Sequence, residues 1–245
     1  MIDRIELERI IADARANGLR PDLSGLDLRN TDLRNADLRN ADLSGLNLRN
    51  ANLRNADLQN ADLRNADLQN AYLQYANLRY ADLQNADLRN ADLQNAYLQY
   101  ADLRYADLRY ADLRYANLWN TDLQNTDLRN ADLRNTNLQN ADLRNADLRN
   151  ADLWGGMLIQ AGASGNGYLV PTPDGWRITI GRWRDKTLDD LRDLIEDRME
   201  WPEARGKERE RRRPMLRAVL ALCEAHIGQQ PESIITDLAA KWGES

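Results

Sequence analysis

Leucine stands at every fifth position from Leu23 to Leu153, 27 times without a break, and the residue two places earlier is Ala in most units, with Thr at Thr31, Thr121, Thr126 and Thr136. A period of five does not suit an α-helix. At about 100° per residue the Leu positions would drift by roughly 140° from one to the next and leave no apolar face. In an extended segment, however, Ala and Leu lie two apart and point the same way, while the polar residue between them points out. The two remaining residues, most often Arg-Asn or Gln-Asn, turn the chain, and Asn tolerates turn geometry. The pattern therefore predicts one short extended piece and one turn per pentad.

Ser24-Gly25-Leu26 recurs as Ser44-Gly45-Leu46, 20 residues later. If each turn bends the chain by about a right angle, four pentads close a coil of that length. Stacked coils would bond like parallel strands about 4.8 Å apart, and 27 pentads would build almost seven coils, roughly 30 Å in height. Leu fills the axis and the smaller Ala packs beside it.

The A(D/N)LXX unit, seen for example in Ala36-Asp37-Leu38-Arg39-Asn40, resembles the pentapeptide repeat family, and the resemblance covers residues 21 to 155. It implies a mainly β fold: a right-handed quadrilateral parallel β-helix, or solenoid. An invariant Leu and few residue types outside it fit a consensus-like or engineered repeat as well as a recently amplified natural one.

A solenoid exposes unpaired backbone at its ends and needs caps. Residues 2 to 17 read as an amphipathic helix with Ile2, Ile5, Ile10, Ile11 and Ala14 on one side and Gly18 as its stop. The expected organisation is an N-terminal capping helix at 1–20, the repeat at 21–160 and a small α+β module at 161–245. A Gly-rich link at 162 to 167 leads into that module. There, Tyr168-Leu169-Val170 and Trp176-Arg177-Ile178-Thr179-Ile180 flank an Asp174-Gly175 turn signal, which predicts a hairpin.

Thr187-Leu188-Asp189-Asp190 reads as a capping box with Asp in place of Glu, opening a helix with Leu188, Leu191, Leu194, Ile195 and Met199 on its apolar side and ending at Trp201-Pro202. A further helix is expected to begin at Pro214 and carry Leu216, Val219, Leu220, Cys223 and Ile227. The last follows Pro231 with Ile234, Ile235, Leu238 and Trp242. The stretch Gly181 to Asp190 also resembles a short C-terminal module of bacterial and phage pentapeptide repeat proteins. The Cys that such modules often carry is replaced here by Ile180 and Arg182.

Composition narrows the chemistry. One Cys and one His, Cys223 and His226, cannot build a disulfide framework, a Cys/His zinc site or a His-based active site. No catalytic, cofactor-binding or metal-ligating set is expected. A net charge of -6, from 33 Lys plus Arg against 39 Asp plus Glu, argues against direct nucleic-acid binding. No apolar stretch approaches the roughly 20 residues needed to span a bilayer, and a cytoplasmic protein without membrane contact is expected.

Second positions of the 27 pentads hold 20 Asp, five Asn and two Tyr; fourth positions hold 15 Arg, eight Gln, two Ser and two Trp. The recurring carboxylates read as a solvated ladder. Family resemblance supplies one alternative function, a DNA-mimicking protein that binds DNA gyrase or topoisomerase and confers quinolone resistance. Here the Arg dilutes the acidic field, and the repeat carries no inserted loops.

Aromatic residues are the least repetitive feature. On a 20-residue coil Tyr80 and Tyr100 stack one rung apart, joined by Tyr97 and Trp119; Tyr75 and Tyr115 share a neighbouring face, and Tyr105 and Tyr110 complete a belt. These eight residues form the candidate interaction surface. The only basic cluster, from Arg205 to Arg213, reads as a solvated helix or linker. The expected function is that of a non-enzymatic scaffold or protein-interaction rod, with a protein partner or self-association. The predicted homodimer forms through the C-terminal module, with Leu220 and Leu238 as contacts.

Overall fold

Every isolated parallel β-bridge in the repeat joins residues 20 apart, from Asp22↔Asp42 to Asp132↔Asp152. One coil is therefore four pentads, as the Ser-Gly-Leu recurrence suggests, and residues at 20-residue spacing form columns along the stack. The protein is described here from a computed structural model, over residues 4–153, 156–160, 166–172, 174–180, 183–196, 207–231 and 233–242. The chain divides into two units, Met1–Asp152 and Leu153–Ser245.

The pentad Ala81-Asp82-Leu83-Gln84-Asn85 explains the repeat through its backbone. Leu83 and Asn85 donate to the next coil, at Asp102 O (2.7 Å) and Arg104 O (3.0 Å), and Asp82 donates to the previous one, at Ala61 O (3.0 Å). Ala81 closes the turn by donating to Leu78 O (3.1 Å). Only the fourth N–H lacks a backbone acceptor, and the Asp82 carboxylate takes it at 3.1 Å. All five donors are thus satisfied, which a buried backbone requires. This local bond, an Asx turn, is why the second position is Asp or Asn.

The fifth residue of each pentad is left-handed. From 25 to 150 these corners are 18 Asn, six Tyr and two Gly, all at positive φ. Asn and Gly visit this region readily, bulkier side chains do not. The third-position Leu side chains are buried throughout, with Ala beside them. Where Thr replaces Ala its hydroxyl stays satisfied: Thr121 and Thr126 reach a carbonyl one coil down, at Leu98 O (2.8 Å) and Leu103 O (2.9 Å), as does Thr136, while Thr31 donates to Leu28 O in its own coil at 2.6 Å. Each buried Leu contributes roughly 1.5–3 kcal/mol.

Helix α1, Arg4–Ala16, belongs to the same unit. Gly18, at φ 67, ends it as the sequence suggests, accepting αL geometry while Leu19 donates to Ala14 O at 2.8 Å. The apolar face differs from expectation. Leu7 and Ile11 are buried whereas Ile5 is 80% exposed, because Leu7 and Ile11, four apart, share one stripe and Ile5 lies off it. Arg15 fixes the helix to the first coil through a two-pronged bond to the Asp37 carboxylate, at 2.6 and 2.8 Å.

In the second unit, β1 (Met157–Gln160), β2 (Asn166–Thr172), β3 (Gly175–Ile180) and β4 (Trp183–Lys186) form an antiparallel sheet in chain order. The fading end of the repeat at 157–160 is thus a strand of this sheet. The hairpin is present, but Thr172 pairs with Gly175, so Gly175 opens β3 at φ 110 instead of sitting inside the turn. Pro171 is tolerated because β1 begins opposite Leu169, so no residue of β1 lies across from Pro171 and none requires a donor from it.

Helix α2, Leu188–Ile195, starts at the expected capping box: Asp190 N–H donates to Thr187 Oγ1 at 3.0 Å and Thr187 N–H to the Asp190 carboxylate at 2.8 Å. Helix α3 runs from Lys207 to Ile227 with Pro214 inside it, so Pro214 is not its first residue; the charged turns before it are helical as well. Helix α4 spans Ser233–Trp242. Leu169, Ile178, Leu191, Leu194, Leu216, Val219 and Cys223 build the core of this unit. Of the residues singled out in the sequence, Ile2, the link at 162–165, Arg182, Met199, Trp201-Pro202 and Arg205 lie outside the described residues.

Candidate functional site

The Asx bond at the fourth N–H is made in 24 of the 26 pentads whose fourth residue lies between Ser24 and Arg149. The two exceptions are Gln74 and Gln99. Their pentads are identical, Ala71-Tyr72-Leu73-Gln74-Tyr75 and Ala96-Tyr97-Leu98-Gln99-Tyr100. Tyr72 and Tyr97 occupy the position that elsewhere supplies the accepting oxygen, so these two N–H groups have no Asx partner.

The same two pentads hold the other irregularity. Gln74 Oε1 and Gln99 Oε1 are the buried side-chain polar atoms without a partner among the described residues. In many pentads a fourth-position side chain reaches the carboxylate two residues back or 18 residues on, and Gln74 Nε2 itself donates to Asp92. Arg104 donates to Asp102 at 2.9 and 2.5 Å and reaches Asp122 at 3.6 Å, while Gln94 donates to Asp112 at 2.9 Å. For Gln99 those two places hold Tyr97 and Asn117, and the carboxamide loses both partners. A buried unmade hydrogen bond costs about 1–3 kcal/mol.

Around these pentads lies the aromatic belt. The rings of Tyr80 and Tyr100 are parallel, 4.9 Å apart, and Trp119 meets Tyr100 edge-on at 5.0 Å. Tyr75, Tyr97, Tyr105, Tyr110 and Tyr115 are exposed, the most open being Tyr110 at 61%. Six of the belt residues, Tyr75, Tyr80, Tyr100, Tyr105, Tyr110 and Tyr115, sit at left-handed corners with φ 60–62. Non-glycine residues in that region cost of order 1–3 kcal/mol, whereas an aromatic pair returns about 0.5–1.5 kcal/mol. The single stack therefore does not account for six tyrosines.

Tyr72 is missing from the surface read off the sequence, although it is as exposed as Tyr97, and the Arg54 guanidinium lies 4.6 Å from its ring centre. The available signal was its second-position place, shared with Tyr97 alone.

Electrostatically the rod is paired. Bonds from Arg64 hold the Asp62 carboxyl down, from 3.8 to about 2, and those from Arg34 do the same for Asp32. These carboxylates stay ionised and bound at neutral pH, which does not suit proton transfer. Among the described residues no His/Cys/Asp/Glu group could hold a metal ion, and no helix is long and apolar enough to cross a membrane. The cleft beside α1, floored by Leu7, Ile11, Leu33 and Ala36, has its rim charges Arg15 and Asp37 bonded to each other.

The C-terminal residues expected to mediate dimerisation are placed differently. Leu238 is 1% exposed in the single chain and Leu220 packs against the core of its own unit. Leu238 is thus covered within the chain itself, and Leu220 stays only partly exposed. Cys223 is buried in that core, and burial pushes its thiol up to about 11, so it is no nucleophile at neutral pH. Arg212 and Arg213, from the basic cluster, lie within α3.

The family model for pentapeptide repeats matches in eight copies, over residues 22–55, 51–90, 91–130 and 126–161. Among solved structures, HetL, a pentapeptide repeat protein involved in heterocyst differentiation regulation from the cyanobacterium Nostoc sp. strain PCC 7120, is 29% identical, with 63% of this chain and 96% of that one covered and a TM-score of 0.18. A pentapeptide repeat protein of the Arabidopsis thaliana thylakoid lumen, AT2G44920, is 29% identical over 44% of this chain and 68% of that one, with a TM-score of 0.25. QnrB1, a plasmid-mediated fluoroquinolone resistance protein, is 17% identical over 50% and 72%, with a TM-score of 0.26. No curated protein sequence matches. With 27 unbroken pentads, a 20-residue bridge spacing and a family model matched over more than half its length, the chain belongs to the pentapeptide repeat family.

Proposed function

We propose that this chain is a non-enzymatic protein-interaction rod, a right-handed quadrilateral β-helix whose two tyrosine pentads and adjoining Tyr corners form the docking surface for a protein partner. One observation carries the reading. At Tyr72 and Tyr97 the repeat gives up the side-chain oxygen that satisfies the backbone in the other pentads, and places an exposed ring there instead. Stability alone favours Asp or Asn at these positions. Exposed aromatic side chains are the residues that anchor protein interfaces.

The test is affinity capture from extracts of the source cells with the full chain and with the double variant Tyr72→Asp/Tyr97→Asp. The reading expects partners retained by the wild type and lost by the variant. Identical retention by both would overturn it.

The alternative, a DNA mimic directed at gyrase, draws on the column that runs from Asp22 to Asp142 with Asp at every twentieth residue. Ion pairing counts against it, since Arg64, Arg104 and Arg144 are bonded to carboxylates of that column. A supercoiling assay with purified gyrase distinguishes the two. Inhibition or drug protection at low micromolar concentration would favour mimicry.

A further inference from the structure

The four columns of pentads are not electrically alike. The column beginning at Asp22 holds seven Asp against three Arg, and the one beginning at Asp27 holds six of each. The third, beginning at Asp32, holds five Asp against four Arg. In the fourth, beginning at Asp37, the charges are Asp37, Arg39, Asp57 and Arg79, all in its lower coils. From Tyr97 onward this column reads Tyr97, Gln99, Asn117, Trp119, Asn137 and Gln139, three coils without a charge. The stacked Tyr80 and Tyr100 stand at its edge.

We infer that this uncharged face pairs laterally with the same face of a second copy of the chain, a proposal that rests on the interaction-rod reading and names its partner. Two observations select a second copy. Like faces brought together meet their own charges, and this is the stretch of the rod where that meeting involves none, so burial leaves no unpaired ion. The rings are also spaced by the coil, 4.9 Å from Tyr80 to Tyr100. Another rod of the same rise matches that one-coil spacing and keeps the Asn corners above and below it in step, whereas a partner with a different repeat does not. Exposed Tyr97 is the central anchor, with Tyr80 and Tyr100 and the half-buried Trp119 beside it, over the buried Asn117 and Asn137.

Three coils span only about 14 Å, short of the roughly 800 Å² per partner of a standard interface, so the pair is expected to form in the micromolar range.

Sedimentation velocity on the full chain from about 5 to about 200 μM tests this. The wild type is expected to shift from one to two copies across that range. The double variant Tyr97→Asp/Trp119→Arg installs the side chains most pentads carry, so it keeps the fold, and it is expected to stay a single copy with an unchanged far-UV spectrum. A wild type that remains a monomer at the highest concentration overturns the inference, as does a variant that pairs equally well. A monomeric wild type whose captured partners are still lost on Tyr72→Asp/Tyr97→Asp would sink self-association while leaving the interaction rod standing. A concentration-dependent pair abolished by Tyr97→Asp/Trp119→Arg, with no captured protein lost, would do the opposite.

Discussion

Tyr80 and Tyr100 lie one coil apart with their ring planes 3° from parallel and their centres 4.9 Å apart. The backbone of both is left-handed, at φ 60 and 62. A register that repeats every 20 residues stacks identical corners, and at this corner it stacks two aromatic rings on a backbone geometry that Tyr adopts at a cost.

The corner cost gives the first expectation. Tyr105 and Tyr110 occupy left-handed corners with most of their rings in water. Tyr105→Asn and Tyr110→Asn, which install the residue found at 18 other corners, are expected to leave stability unchanged or raise it by up to about 1 kcal/mol each. Urea denaturation reads this directly, and a loss above about 1 kcal/mol would mean these rings hold the fold together.

Backbone amides report the broken Asx ladder. The N–H groups of Gln84 and Gln94 each donate to an aspartate oxygen, at 3.1 and 3.2 Å, while those of Gln74 and Gln99 have no such acceptor. Hydrogen exchange followed by NMR should give Gln74 and Gln99 lower protection than Gln84 and Gln94. Equal protection at all four would show that some other group satisfies the two amides.

Much of the fold was legible in the sequence because each pentad is a closed hydrogen-bonding unit. Leu spacing gave the pentad, the recurrence of Ser24-Gly25 at Ser44-Gly45 gave the coil, and Thr187 with Asp190 gave the start of α2. Ile5 was misplaced because a short helix rich in apolar residues offers two overlapping stripes, and only the packing of Leu7 and Ile11 chooses between them. Pro214 signals a first turn, yet charged residues before it extend the helix. Amphipathic spacing reveals an apolar face at Leu238 without saying that the chain itself covers it. Tyr72 was overlooked for a different reason. Its consequence lies in the missing Asx bond to the Gln74 N–H, which appears only once the hydrogen bonds of every other pentad are known.

The axis is close-packed, so its centre is the least tolerant place for a cavity. Leu78 is fully buried with coils above and below. Leu78→Ala is expected to cost about 2–5 kcal/mol, measured by chemical denaturation, whereas a loss below about 1 kcal/mol would indicate a loosely filled axis.

Acid should weaken the rod in a defined window. Because hydrogen bonds from Arg64 depress the folded-state pKa of Asp62 from 3.8 to about 2, and those from Arg34 depress that of Asp32 similarly, their stabilisation is complete above the unfolded value. It is lost as pH falls through about 4 to about 2. Thermal melts should be flat between neutral pH and about 5 and decline below about 4. A melting temperature that holds to pH 2 would contradict the ladder's role.

On the proposed reading Tyr72 and Tyr97 serve binding at the expense of the backbone, and thermal unfolding of Tyr72→Asp and Tyr97→Asp decides whether they do. Each substitution restores the oxygen that the following fourth-position N–H lacks, a bond contributing about 0.5–1.5 kcal/mol. Both variants are expected to melt at or above the wild-type temperature while losing association. Variants that melt well below it would show that the two tyrosines are there to hold the coil together, and would contradict the account.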